Sequence, residues 1–448
     1  MHKASQFSLL IERRFGPFFW TQFLGALNDN VFKTALLTTL TFEAVLWTTA
    51  DTGLLNNLIP GLFILPFVLF SALTGQLADK FDKAYLSRVV KLLEIAIMLI
   101  ACVGWLQHQL WLLVLALVGM GLHSTLFGPV KYAYLPQALR NDELIGANGV
   151  IEMGTFVGIL LGEILGALLV MQKPWGIELV AGGTLAIALL GWACSCAIPA
   201  VPAPAPDLQI NWHLWRETLR NLRFSRQNRP VWLAMLGNSW FWFYGAILLA
   251  QFPLYARRHL HGDHSVFILL LVIFSLGIGI GSLICEPLSR RRIEIGLVPL
   301  GALGMTVFGV ELYFASQAYT ALAEVDARGF LTQNGSWRIL SDLVGLGIFG
   351  GIYIVPLFAL IQTRCDAAHL SRTIAGLNIM NALFMVGSAG LAMILLSFGC
   401  TIPQIFLIAA ILNGLFTGWI FYSEPTFLKR CWRWIRGRAE TEAGFERM

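Results

Sequence analysis

Apolar runs of about twenty residues, separated by short polar clusters, set the pattern of this chain. A hydrocarbon core roughly 30 Å thick takes about twenty apolar residues of α-helix. Twelve segments are long enough: 16–40, 53–78, 87–106, 110–130, 146–171, 176–198, 230–255, 265–286, 294–318, 340–361, 373–398 and 402–422. Between the sixth and the seventh the pattern changes. Residues 199–206 read Pro-Ala-Val-Pro-Ala-Pro-Ala-Pro, a stiff extended spacer. Trp212, Leu214, Trp215, Leu219, Leu222 and Phe224 then interleave with Arg216, Arg220, Arg223, Arg226 and Arg229. That is a basic amphipathic helix suited to lying on an anionic cytoplasmic leaflet. The expected fold class is an all-α membrane protein with twelve transmembrane helices in two six-helix bundles, at 1–198 and 230–424. A cytoplasmic linker and amphipathic helix at 199–229 joins them, and a basic tail follows at 425–448.

Composition and charge sharpen this picture. Of 448 residues, 57% are hydrophobic and 13% charged, the latter about half the norm of roughly 25% for soluble domains. One aqueous core does not hide that much apolar surface, which excludes a soluble enzyme, a nucleic-acid binder and a disordered scaffold. With the N-terminus inside, the cytoplasmic segments collect 25 Lys and Arg against 5 on the opposite side, and only Lys33 falls deep within a span. That bias predicts both termini in the cytoplasm. Arg13 and Arg14 precede an apolar run too long for a cleaved signal peptide. Cys102, Cys194, Cys196, Cys285, Cys365, Cys400 and Cys431 form neither metal-ligand spacing nor a disulfide framework.

The halves echo each other, as parallel six-span repeats around a central cavity would. Gly75-Gln-Leu77-Ala-Asp79-Lys80-Phe-Asp82-Lys83 follows the second span, and Gly281-Ser-Leu283 with Arg290–Arg292 follows the eighth. Gly146-Ala-Asn148 opens the fifth span, Gly376-Leu-Asn378 lies in the eleventh, and Leu27-Asn28-Asp29 matches Leu236-Gly237-Asn238. On these residues the chain resembles the major facilitator superfamily along essentially its whole length. Gly75, Leu77, Ala78, Asp79, Lys80 and Lys83 look like that family's loop between spans two and three, with Asp82 where Gly is usual. The resemblance implies that Gly75, Asp79, Lys80 and Lys83 form a gating motif stabilising the outward-open state. In the second copy Cys285 stands where Asp would, so no such role carries over.

A narrower resemblance rests on Gln22-Phe-Leu-Gly25-Ala-Leu-Asn28-Asp29-Asn30, the Pro129-Val-Lys131-Tyr132 stretch, Glu143 to Glu152, and Gly350-Gly351-Ile-Tyr-Ile-Val-Pro356-Leu. These look like the lysophospholipid transporter branch. That implies movement of lysophospholipid from the outer to the inner leaflet of the bacterial inner membrane, for re-acylation. It also implies a separate acyltransferase/acyl carrier protein synthetase as partner, since this chain closes on a short basic tail.

Ionisable groups within a span are costly and face the bundle interior or a wet cavity. Asp29 and Lys33 are four apart on the first span, in the favourable order, flanked by Asn28 and Asn30. Either they form an internal ion pair that holds the span to its neighbours, or they meet a head group or a coupling cation. Their mid-span depth favours the second. In the fifth span Asn148, Glu152, Thr155 and Glu163 line up, Glu152 and Glu163 within about 20° at 100° per residue. Gly154, Gly158, Gly162 and Gly166 repeat every four residues on another side, a close-packing signature. Glu163 reads equally as an interface residue, which leaves Glu152 as the site candidate.

Lys131 suits a phosphate leaving the cavity, and snorkelling explains it as well. Lys91 and Glu94 read as structural, Glu311 as a partner within its half, and His123 as packing. Asn238, Asn378 and Asn381 suit the second-half wall. Trp20, Trp111, Trp175 and Trp337 fall at span ends, as an interfacial belt does. Trp240 and Trp242 suit either an acyl chain or lipid-facing packing. With Gln22 from the first motif, the candidate binding set is Gln22, Asn28, Asp29, Asn30, Lys33, Lys131, Asn148, Glu152, Asn238 and Asn378.

No catalytic constellation is legible. There is no Walker loop, no nucleophile elbow, and no His-x4-Asp pair; His259 and Asp263 fall on the outer side. The expectation is a secondary transporter and not an enzyme, without metal or cofactor, with sodium or a proton as candidate coupling cation. Its expected partners are lysophospholipid and membrane lipids, with no nucleic acid, and it is expected to act as a monomer. The competing function is an ion-coupled carrier of another small amphipathic or drug-like substrate on the same fold.

Overall fold

The computed structural model describes residues 5–42, 47, 52–320 and 324–437. Residues 1–4 and 438–448, the latter the end of the expected basic tail, lie outside the described residues. Twelve helices of 21 residues or more occur among those described. They are α1 (Gly16–Phe42), α2 (Thr52–Lys80), α3 (Lys83–Leu106), α4 (Leu110–Ala138), α5 (Leu144–Val170), α6 (Gly176–Cys196), α8 (Arg229–Leu254), α9 (His264–Ser289), α10 (Leu297–Ala318), α12 (Ser336–Arg364), α13 (Leu370–Ser397) and α14 (Ile402–Ser423). Three shorter ones complete the series: α7 (Leu214–Gln227), α11 (Ala327–Thr332) and α15 (Thr426–Ile435). Among the described residues, eleven helices are long and apolar enough to cross a membrane. The exception is α1, whose middle holds Asn28, Asp29, Asn30 and Lys33.

Polar residues punctuate the helices as capping chemistry requires. Asp82 accepts the Tyr85 amide at 2.7 Å and starts α3, Asn228 caps α8, and Thr401 forms a capping box with Gln404 at the start of α14. Helices α1–α6 pack mainly on one another, and so do α8–α10, α12 and α14, whereas α13 packs on α8 and more extensively on α2 and α4. The two groups meet along α2 with α13 and α5 with α9. The glycine stripe of α5 receives α1: a Cβ at Gly162 would lie 2.6 Å from the Leu27 carbonyl, and one at Gly166 2.4 Å from that of Val31.

The linker is not a loose spacer. Val201 N–H donates to Asp82 at 2.6 Å, and Ala205 N–H to the Asp79 carbonyl at 2.9 Å. The Asn211 amide donates to Gln76 Oε1 at 2.7 Å. Helix α7 forms where the amphipathic pattern predicts it, with its polar side against the protein and its Trp and Leu side outward. Its buried residues are Glu217, Thr218, Asn221 and Ser225, while Trp215 and Leu219 are exposed. Trp111, Trp175 and Trp337 are exposed as well. Trp240 faces neither lipid nor open space: it is buried and donates to Asn413 Oδ1 at 2.8 Å.

Candidate functional site

Three polar layers lie on the faces of α1, α4 and α5 and where these meet α12 and α13. The first closes one end of the molecule. The Asp79 carboxylate is fully buried and accepts the Ser371 amide at 3.0 Å and Arg372 Nε at 2.9 Å, so α2 of one group is clamped to the start of α13 in the other. Gly75 makes that approach possible, because a Cβ there would lie 2.7 Å from Ala375 Cβ and 2.9 Å from Arg372 Cα. Lys83 is 1% exposed at the start of α3, within the electrostatic reach of Asp79 and Asp82; Lys80 is half-buried. Nearby, Gln6 binds α9 through its amide to Glu286 (3.2 Å) and through Nε2 to the Leu283 carbonyl (2.9 Å). Arg14 grips Glu143 with two hydrogen bonds of 2.7 Å. Burial pushes the Glu143 carboxyl up, but that fork and the Arg140 amide outweigh it and hold the group below its ordinary range.

Asn148 belongs to this seal. Its Nδ2 donates to Gln362 Oε1 at 2.6 Å, and Gln362 Nε2 donates back to Asn148 Oδ1 and to the Tyr132 carbonyl. The Tyr132 ring stacks on Phe358 of α12 at 4.0 Å.

The second layer begins one helical turn further in. Tyr132 donates its hydroxyl to Glu152 Oε1 at 2.6 Å, and the other Glu152 oxygen has no hydrogen-bond partner among the described residues. Lys131 Nζ donates to Thr155 Oγ1 at 2.7 Å and lies 4.9 Å from the centre of the Tyr132 ring. Thr155 Oγ1 lies 3.1 Å from Gln22 Oε1. A cation, a carboxylate and two neutral polar groups thus converge from α1, α4 and α5. Across from them Asn378 of α13 is close to Gly128, where a Cβ would come 2.4 Å from its Nδ2. Among the described residues that amide nitrogen has no hydrogen-bond partner, and neither does either polar atom of the buried Asn238. Asn381 accepts from Ser239 at 2.8 Å.

The third layer surrounds Asp29. Its carboxylate accepts from Ser124 of α4, while Lys33 donates to Asn30 Oδ1 at 2.7 Å and lies 5.8 Å from the Phe63 ring centre. No ion pair joins Asp29 to Lys33 among the described residues. The buried ion pair of this layer is Lys91–Glu94, at 2.6 Å. Glu94 also accepts from Asn28 Nδ2 at 2.7 Å and lies 3.2 Å from His123 Nε2. Glu311 pairs within its half, with Arg338 Nε at 2.6 Å. Gln362, Phe358, Ser371 and Ser124 carry no signal of these roles in the sequence. Their partners are distant in the chain, and no local pattern carries that information.

A Major Facilitator Superfamily model matches residues 18–389. The chain is 29% identical over 358 residues to the lysophospholipid transporter LplT of Klebsiella pneumoniae (strain 342), covering 77% of this chain and 78% of that protein. It is 26% identical over 387 residues to the LplT of Photorhabdus laumondii, covering 81% and 83%. In fold it resembles the crystal structure of FucP, a Major Facilitator Superfamily transporter in the outward conformation. The TM-score is 0.66, with 14% identity, over 95% of this chain and 98% of that one. The chain therefore belongs to the Major Facilitator Superfamily, as a multi-pass protein of the bacterial inner membrane that carries a substrate and does not transform one.

Proposed function

We propose that this chain is a lysophospholipid flippase, moving lysophospholipids from the outer to the inner leaflet for re-acylation by a separate acyltransferase. The observation that carries the reading is the convergence of Lys131, Glu152, Thr155 and Gln22 beside the sealed end, in a chain similar to lysophospholipid transporters over about four-fifths of its length. A lysophosphatidylethanolamine head joins a phosphate to an ammonium. Lys131 meets the phosphate and the carboxylate of Glu152 meets the ammonium, while Asp29 offers a second carboxylate further along α1. In this reading all twelve long helices span the bilayer as two six-helix bundles, with residues 199–229 between them. Both termini and the Asp79 end are cytoplasmic, which the distribution of Lys and Arg supports. The sealed cytoplasmic end then leaves the site to be loaded from the outer side, and alternating access exchanges the two openings.

Uptake into proteoliposomes tests the proposal, with labelled lysophospholipid, a sugar and a cationic dye offered in parallel. Protein-dependent uptake of the lysophospholipid alone is expected. Glu152→Gln should lower it while folded protein is retained. Uptake of the dye or the sugar in its place would assign the site to another substrate class.

A further inference from the structure

The two short helices that follow the last long helix of each group carry one surface pattern twice. In α7 the polar side, Glu217, Thr218, Asn221 and Ser225, is turned inward onto α2, α8 and α13. At 100° per residue the outward arc runs from Trp215 and Leu219 to Arg223, Arg216 and Arg220, all exposed. Trp212, just before the helix, is 71% exposed. In α15, Phe427 and Arg430 are turned inward, and Trp434 Nε1 donates to the Leu288 carbonyl at 2.8 Å. Its outward arc runs from Ile435, Leu428 and Trp432 to Arg436, Lys429 and Arg433, again all exposed. Each helix sets exposed Trp and Leu beside basic residues, with Arg226 standing between Trp215 and Leu219 on α7, and each is held by its opposite side. Both lie at the same end of the molecule. Arg229, which opens α8, donates through Nη2 to the carbonyl of Ser423, which ends α14, at 2.6 Å.

Exposed Trp and Leu beside Arg and Lys are what an interfacial helix uses. Its apolar flank enters the head-group boundary, and its basic flank meets anionic head groups. Both helices sit at the ends of membrane-crossing helices, within reach of those head groups. We propose that α7 and α15 form a paired collar for anionic phospholipids. Arg216, Arg220 and Arg223 on one side, and Lys429, Arg433 and Arg436 on the other, take the phosphates, with Trp215 and Trp432 in the acyl boundary. Two contacts on the way are local: Arg220 lies 3.7 Å from Glu217, and Arg436 stacks over Trp432 at 4.5 Å. The collar rests on the membrane placement alone and is independent of the transported substrate.

The test uses the full chain in nanodiscs of phosphatidylcholine with and without phosphatidylglycerol, read by hydrogen–deuterium exchange over 212–227 and 426–436. Phosphatidylglycerol should slow exchange in both segments. Arg216→Gln, Arg220→Gln and Arg223→Gln together should remove the effect from α7 and leave it in α15. Each basic residue lost should weaken it roughly fivefold, the equivalent of about 1 kcal/mol per residue near an anionic surface. The three corresponding changes to Lys should keep the effect, which separates charge from folding of α7. Equal exchange in the two lipids, or slowing that survives the triple Gln variant, would overturn the proposal. So would protection that appears only when an acidic soluble protein is added.

Discussion

Removing the Glu94 carboxylate disturbs three partners at once, because Lys91, Asn28 and His123 all converge on it in a region closed to water. Glu94→Gln should cost about 3–5 kcal/mol, the scale for breaking a buried pair by taking one member away. A Lys91→Met, Glu94→Leu double variant should be milder, since it leaves no charge behind. Thermal unfolding in detergent compares the two, and a double variant as unstable as the single would argue against the ion pair. Asp29 and Lys33 should behave differently. Asp29→Asn and Lys33→Met are expected to add in lysophospholipid uptake to within about 0.5 kcal/mol, because each group has its own hydrogen-bond partner. A recovery in the double variant would restore the pairing. Helical spacing permits both pairs, and third residues decide between them. Asn30, three positions before Lys33, was visible in the sequence; Ser124, which takes Asp29, was not, since only the packing of α4 on α1 brings it there.

At the level of helices, the contact between α1 and α5 depends on what glycine lacks. Gly162→Val should sharply reduce the yield of folded protein, because the new carbon atoms meet the Leu27 carbonyl and Asn30 Cβ, and neither backbone can yield. Gly182 of α6 has nothing within 4 Å of an added Cβ. Gly182→Ala should be neutral or stabilise by up to about 1 kcal/mol through helix propensity. Fluorescence-detected size exclusion after heating separates the two outcomes. Helix positions and the stripe itself were legible, since hydropathy and four-residue spacing are local properties. The polar line of α5 was legible too, but not the depth of its members. Asn148 and Glu152 stand one turn apart on one face, and that turn places Asn148 in the seal with Gln362 and Glu152 beyond it. What α7 packs against, α2, α8 and α13, was illegible for a related reason. An amphipathic pattern shows that a helix has two sides without telling which other helices they meet.

Across the whole molecule, the Asp79 clamp joins residues 293 positions apart, and no pattern within either stretch announces the other. Asp79→Asn leaves Arg372 without its carboxylate and should favour the opened end by about 1–3 kcal/mol. Cys365 reports on this, since its thiol lies 3.1 Å from Thr373 Oγ1 close to the clamp, and burial pushes its pKa up to about 11. In a background where Cys365 is the sole cysteine, maleimide labelling should accelerate roughly 5- to 150-fold. An unchanged rate would remove the loop from the gate. How the molecule moves between its states is constrained by the linker. From Val201 to Asn211 it is fastened to the Asp79 end of the first group, so it travels with that group. Asn228 caps α8 and donates to the Arg364 carbonyl at 3.0 Å, so it travels with the second. Between those anchors stands α7, 14 residues and about 21 Å long. Its polar side rests on α2 of the first body and on α8 and α13 of the second, so it resists their separation but allows them to turn. The two bodies are left to swing through an arc about that axis, as a door turns on its pin.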